Sequence, residues 1–510
     1  MKLIGLAVAT VTLLLTFTLI LSSDPQNAMA SRSASGASNP QNAMVSQSAN
    51  DVADNTPGAC ESQSVDEPGQ GCAKALVRLF EQGKKIFRFD TFGDEDFWGS
   101  TLQLHKAVEG AALGGVGTGV SPKVALTVTG LKVDVDALPG NLQADLRHGR
   151  VNLDSPATTL ALLKLNAVLG VKGFFSGDSL RSIGITCALC HSTVDNSFAP
   201  GIGKRLDGWP NQDLNVGLIV SLAPNLAPMA QQVLGATDPT AIDTLKKVLL
   251  SWGPGFYDAE VNMDAIGFKQ DAEGNTLIGP DGKPESAATR IPAAYGHLGE
   301  NFHTWTGYFG NVTYWNAFVA NLQMHGNGNF NDERFEFIDP KTDKPKYPAA
   351  LRGSFNKLRH NPDEVTGKLA ALQYYQLSLK APTPPVGSFD TAAAKRGEEV
   401  FNGKGGCSGC HMPPLATDAG FNSHTPKDLC LKNSKGEIDT FQADRGPRGL
   451  NPGVLVTPQL SGLWSRSKRG FFHDGRFETL GDVINHYNSC FNLDLSAGEK
   501  SDLVQFLKSR

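Results

Sequence analysis

Two short stretches of the chain carry residues suited to one chemistry. Cys187-Ala188-Leu189-Cys190-His191 and Cys407-Ser408-Gly409-Cys410-His411 both read C-x-x-C-H. Two thiols at this spacing can each form a thioether to one haem vinyl group. The histidine that follows can turn its imidazole onto the iron, and this pattern is the attachment signature of c-type haem. The competing chemistries fit less well. A structural zinc site needs a second close Cys/His pair, and no C-x-x-C…H-x-x-x-H follows either motif. A redox dithiol has no use for histidine at the fifth position twice. The expectation is two covalently bound c-type haems on Cys187, Cys190, Cys407 and Cys410, with His191 and His411 as proximal iron ligands.

The ligand on the other side of each iron decides the function. Two strong protein ligands make an electron carrier, whereas an open position can take peroxide or oxygen. Beyond residue 44 the methionines are Met229, Met263, Met324 and Met412. Met412 adjoins His411 and cannot reach the opposite face, and no methionine follows it. A His/Met pair from the second motif's own region is therefore excluded. Around the first motif, Met229, Met263, His297, His303, Met324 and His325 are all candidates, none at a diagnostic spacing. Trp305 and Trp315, with Tyr308 and Tyr314, read either as core aromatics or as a route for electrons.

The remaining cysteines are Cys60, Cys72, Cys430 and Cys490. In an oxidising compartment they pair, and proximity favours Cys60–Cys72 and Cys430–Cys490 among three connectivities. The N-terminus agrees with export. One lysine, an apolar run from Leu3 to Leu21 and Ala28-Met29-Ala30 read as a signal peptide over residues 1–30. A periplasmic or secreted protein follows. An uncleaved run would instead anchor it in a membrane, facing the periplasm. Residues 31–58 are a low-complexity spacer.

The chain has 510 residues, 46 Lys+Arg and 51 Asp+Glu, a formal charge of −5. Without clustered positive charge it is no nucleic-acid binder. Gly 55 and Pro 29 imply many loops. Residues 59–175 read as an N-terminal extension with a helix from Ala73 to Arg88 and a β-rich run from Val124 to Val133. Residues 176–380 hold the first motif, and 381–389 are a Pro-rich linker. Residues 390–510 hold the second motif between a Thr391–Phe401 helix and a final helix opened by the capping box at Ser496 and Glu499. That order is the outline of a cytochrome c domain. The fold class expected is mainly α, with two cytochrome-c-type haem domains, long loops and the N-terminal extension. A faint echo relates the two halves: Ile291-Pro292…Phe302-His303…Gly307 parallels Thr457-Pro458…Phe472-His473…Gly475.

Residues 405–490 resemble the C-terminal domain of bacterial di-haem cytochrome c peroxidases and of the related di-haem enzyme that matures methylamine dehydrogenase. Cys407–Asp418, Thr457–Leu463 and Phe471-Phe-His-Asp-Gly-Arg-Phe-Glu-Thr-Leu480 with Val483–Asn488 carry the likeness. It is much weaker over 59–380, where the long segment before the first motif is also similar to the rubber oxygenases of the same superfamily. The resemblance implies an exported oxidoreductase. Electrons would enter at the C-terminal haem from a small redox protein or another donor. Peroxide or oxygen would be activated at the N-terminal haem, with an organic substrate also in play. Counting from His473, the distal position held by methionine in the peroxidases falls on Tyr487, and the maturation enzyme uses tyrosine there. His486, and then His424 or His473, are the alternatives. Gln323 and His325 are the candidate catalytic residues over the first haem, and a calcium ion is implied between the domains. The competing functions are a non-catalytic di-haem electron carrier and a binding module in which haem is incidental.

Overall fold

Two helix pairs frame the molecule, and each pair meets at a glycine. The computed structural model describes residues 70–447 and 453–510, with side chains from residue 73. The Gln70–Phe89 helix packs on the Leu369–Ser378 helix, and a Cβ on Gly83 would stand 2.0 Å from the Ala371 carbonyl oxygen. The Thr391–Asn402 helix packs on the Ala497–Lys508 helix, and a Cβ on Gly397 would stand 2.1 Å from the Asp502 carbonyl oxygen. Only a residue without a side chain lets the backbones approach so closely. Four residues beyond each glycine sits a phenylalanine facing an aromatic partner. Phe87 lies 5.5 Å from Tyr375 and Phe401 lies 4.9 Å from Phe506, ring centre to ring centre.

Between the helices of the first pair the chain makes a long excursion. Strand pairing among the described residues is confined to two-stranded ladders. The antiparallel pair Val171–Ser176 and Ser179–Ile185 delivers the chain to Thr186 and the first motif. Asp207 then gathers three elements. It accepts from Arg88 of the first helix, from Ser192 Oγ at 2.8 Å just after the motif, and from Tyr375 Oη at 2.6 Å. A buried carboxylate is tolerated when it is hydrogen-bonded and paired in this way.

The boundary expected at residue 175 does not coincide with a break in packing. The largest apolar core runs from Trp98 and Leu102 through Leu162, Leu189 and Leu245 to Ile291. The described part of the N-terminal region thus shares one core with the first motif, and all of it lies in one compact unit, Val65–Arg510. The β-rich reading of Val124 to Val133 is also corrected. Pro122–Thr127 is a helix, because Pro122 fits its first turn and Ser121 Oγ accepts from the Val124 N–H. Only Val133–Asp134 is extended and paired. The final helix has its capping box, with Ser496 and Glu499 exchanging hydrogen bonds. Among the described residues no helix is long and apolar enough to cross a membrane. The signal peptide, the spacer and Cys60 lie outside the described residues, as does the Cys72 side chain, so the expected Cys60–Cys72 bridge does too. Cys430 and Cys490 form a disulfide across 60 residues.

Candidate haem sites

Both proximal histidines are held the same way. The His191 ring places Nδ1 3.1 Å from the Pro292 carbonyl oxygen. The His411 ring places Nδ1 3.0 Å from the Ala416 carbonyl oxygen, and the Pro458 carbonyl faces it as well. A carbonyl on Nδ1 selects the tautomer whose Nε2 lone pair is free for a metal. Burial pushes His191 down to about 4 and also lowers His411, so both rings stay neutral. The four motif cysteines are unpaired. Burial raises Cys187 and Cys190 to about 12 and Cys407 to about 11. Free thiols and a neutral, oriented imidazole at each motif fit covalent haem.

The surroundings of the two motifs differ. The first opens into a cavity of about 150 Å³, walled mostly by apolar groups including Trp98, Leu104, Val216, Ile219 and Ile291. Gln323, Met324, Trp305 and Trp315 stand on its wall. The π-helical turn Val319–Gln323 brings Val319 and Gln323 there together, and such turns recur at functional sites. Arg290 adds a buried guanidinium suited to a haem propionate; burial lowers it to about 10.

Four polar atoms of cavity residues have no hydrogen-bond partner: Glu260 Oε2, Gln442 Oε1, Trp315 Nε1 and Arg290 Nε. A native protein leaves such groups bare chiefly where a ligand satisfies them. Glu260 is held with care. Its Oε1 accepts from the Tyr308 hydroxyl and, at 2.9 Å, from Gln442 Nε2. Burial and the neighbouring Glu260 carboxyl hold the Tyr308 phenol well above its usual range, so it remains a donor. Behind it lies Arg445, 2.8 Å from Asp258, 2.7 Å from Asp264 and 3.9 Å from Glu260 Oε2. One guanidinium faces three buried carboxyls, which leaves room for a retained proton. Burial pushes Asp258 up, to about 7, against the pull of Arg445. Gln442 and Arg445 both come from the Phe441–Arg445 helix, so the chain after the second motif completes the cavity of the first.

The other expected residues fall as follows. His325 is not a cavity residue: it stacks on Phe97 at 3.6 Å, with Trp98 against its edge, and burial lowers it to about 3. Met229 and Met263 are buried in separate cores, and His297 and His303 lie together outside the cavity wall. Around the second motif, Tyr487 sits on the Leu480–Cys490 helix, whose end the Cys430–Cys490 bridge pins. Its phenol is raised first by burial and then by the Cys410 and Cys407 sulfurs, and its ring packs on Phe472 and Phe491. His486, one residue before, turns Nε2 to the Leu429 carbonyl at 2.8 Å. His473 is built into a charged network instead: Lys269 lies 2.7 Å from Asp474, and Arg476 binds both Asp474 and Asp439. The His424 backbone pairs with Leu455, and its Nε2 is buried without a partner.

No family model matches the chain. Cytochrome-c peroxidase IdrP2 of Denitromonas iodatirespirans is 29% identical over 199 residues, covering 32% of this chain and 53% of that protein. Methylamine utilization protein MauG of Methylorubrum extorquens is 29% identical over 187 residues, covering 32% and 49%. Cytochrome-c peroxidase IdrP1 of Denitromonas iodatirespirans is 26% identical over 255 residues, covering 39% and 65%. The chain thus spans about half the length of the first two of these relatives. Among solved structures, a MauG-like protein associated with microbial copper homeostasis is 18% identical, covers 46% of this chain and 76% of its own, and has a TM-score of 0.27. Hydrazine synthase of Kuenenia stuttgartiensis is 20% identical over 46% of this chain and 75% of its own, at a TM-score of 0.25. The structural scores are too low to carry weight. The relatives in sequence are peroxidase- and MauG-type oxidoreductases, and the two attachment motifs define a c-type cytochrome. Over about a third of its length the chain is similar in sequence to these cytochrome-c peroxidases and to MauG.

Proposed function

We propose that the protein is an exported di-haem oxidoreductase with two haem domains. It activates peroxide or oxygen at the His191 site and takes electrons in at the His411 site. The observation that supports this reading is the contrast between the sites: a cavity with a held carboxyl beside His191, and a buried phenol, Tyr487, within electrostatic reach of the second motif's thiols. Bound haem would supply the redox iron, held by Cys187, Cys190 and His191 and by Cys407, Cys410 and His411.

The residues around the first site do the rest. Glu260 Oε2 is free to take a proton from an incoming hydroperoxide and return it to the leaving oxygen, as general acid–base catalysis requires. Tyr308 and Gln442 fix the rotamer of its carboxyl, and Arg445 lies 3.9 Å from its Oε2. Gln323 and Trp315 offer hydrogen-bonding groups on the same wall. The apolar lining limits water, which strengthens each of these interactions. Tyr487 is the candidate oxygen ligand of the second iron and would leave it without an open position. Trp305 lies between the two regions: it lines the first cavity, and its carbonyl accepts from Val456 N–H at 3.0 Å, beside Thr457 and Pro458. It is the candidate electron route. The immediate donor is a small redox protein or another electron donor.

Low-temperature electron paramagnetic resonance of the oxidised protein tests the reading. One high-spin ferric signal that a single equivalent of hydrogen peroxide abolishes is expected, beside one low-spin signal. Two low-spin signals, unchanged by peroxide in oxidised and half-reduced samples, overturn it. They would leave an electron carrier, with Met324 on the cavity wall as the sixth ligand.

A further inference from the structure

The segment that joins the two regions carries a second cluster of ligand-type side chains. It runs from Pro292, whose carbonyl holds His191, to Trp305 on the cavity wall. A Cβ on Gly299 would stand 2.7 Å from Leu415, next to the Ala416 that holds His411. Within this segment one ligand atom each from His297, Glu300 and His303 lies within 4.8 Å of the others. All three side chains are largely buried, with exposures of 14%, 9% and 4%.

The hydrogen bonding of this cluster is incomplete in a telling way. His297 Nε2 is 3.0 Å from the Ala293 carbonyl oxygen, which can only accept, so the ring proton sits there. His297 Nδ1 then presents a lone pair to Glu300 Oε2 at 2.8 Å. Two lone pairs at that distance repel unless a proton or a metal ion lies between them. His303, 4% exposed, brings Nδ1 to 3.4 Å from the same carboxyl, yet neither of its ring nitrogens has a hydrogen-bond partner. Burial and the neighbouring His297 push His303 down to about 3, so its ring is neutral and keeps one nitrogen lone pair for a ligand.

We propose that His297 Nδ1, Glu300 and His303 bind one zinc ion. Ligand atoms on a tetrahedral zinc with bonds of about 2.0–2.1 Å lie roughly 3.3 Å apart. The measured separations of 2.8 and 3.4 Å bracket that value. Two imidazoles and one carboxylate suit zinc, and they do not fit calcium, which takes oxygen ligands. The His297 Nε2–H to carbonyl bond is the outer contact that ligating histidines make to fix their tautomer. Three protein ligands leave a fourth position for water. Bound zinc braces the segment that sets the His191 carbonyl on one side and packs against the His411 support on the other.

The test uses full-length, haem-loaded protein. It is stripped with EDTA, given excess zinc chloride and desalted, and its metals are counted by inductively coupled plasma mass spectrometry. About one zinc per chain is expected beside about two irons. His303→Gln and Glu300→Gln should each hold less than about a tenth of that zinc with iron unchanged. Crystals of the unaltered protein, measured above and below the zinc edge, should show an anomalous peak between the three side chains, a readout that needs no variant to fold. Absence of zinc from the unaltered protein, equal uptake by both variants, or a peak elsewhere overturns the proposal. Because iron is counted in the same samples, loss of zinc and failure of the haem reading are told apart.

Discussion

The two C-x-x-C-H regions share their proximal halves and differ in their distal ones. Each histidine is steered by backbone carbonyls, and the paired prolines of the faint repeat, Pro292 and Pro458, both face such a ring. Each region is flanked by a helix pair that closes on a glycine with a phenylalanine four residues later. Beyond the iron position the likeness ends. The first region faces a cavity with unsatisfied polar groups, whereas the second has Tyr487, packed on Phe472 and Phe491, as its proposed distal group. A binding scaffold can thus be duplicated while the chemistry is set by whatever lies across from it. Here the difference is supplied partly from far away, since Glu260 and Gln442 are 182 residues apart.

The sharpest way to break this contrast is Glu260→Gln. Removal of a positioned acid–base group costs about 10²–10⁴-fold, so peroxide consumption measured by stopped flow should fall by that order while the low-spin signal stays. Tyr487→Phe should do the reverse, altering the low-spin signal and leaving the initial reaction with peroxide. Next comes Cys430→Ser with Cys490→Ser. Closing a loop of 60 residues is worth roughly 4 kcal/mol, so denaturant unfolding should lose stability of that order, with the Tyr487 region the first to change. The third test is pH. Burial holds His473 down to about 4 in the folded chain, against about 6.5 when unfolded. Between those values the unfolded chain binds more protons, so stability is full above pH 6.5 and falls as pH drops toward 4, by on the order of 3 kcal/mol. His473→Gln should flatten that part of the melting-temperature profile. The smallest effect, about 1–3 kcal/mol each from overpacking, is expected for Gly83→Ala and Gly397→Ala. Similar losses in thermal melts would show the two helix crossings to be equivalent, and a tolerated Gly83→Ala would break the likeness.

Much of the second region was legible in the sequence. The Thr391 helix, the Ser496 cap and the Cys430–Cys490 bridge all follow from local patterns or from short chain separation. The first region was less legible because its parts are dispersed. Its opening helix stands about a hundred residues before its motif. Yet Gly83-Lys84-Lys85-Ile86-Phe87 and Gly397-Glu398-Glu399-Val400-Phe401 share glycine, a branched aliphatic and phenylalanine at the same spacing, a signal that would have dissolved the boundary at 175. The Val124 run misled because alternation outweighed Ser121-Pro122, a local helix start. Glu260 carried no signal at all. It lies between Asp258 and Asp264 in an acidic stretch that reads as solvated surface, and only the fold shows that Arg445 has drawn all three inside. Gln323 could be proposed from its place after the echoed segment, whereas His325 shared that place and turned instead onto Phe97.

The two carbonyls that steer the histidines also set an order of assembly. Ala416 follows His411 by five residues, so that ring can be oriented as soon as its own loop has formed. Pro292 follows His191 by 101 residues. A contact closed over so long a loop forms late, after the intervening chain has been made and has found its core. On a chain that grows from its N-terminus, the first motif to be synthesised spends the longest time with its thiols presented and its imidazole unsteered. An attachment machinery acting during that interval would meet the first site as an open chain and the second as a nearly finished one.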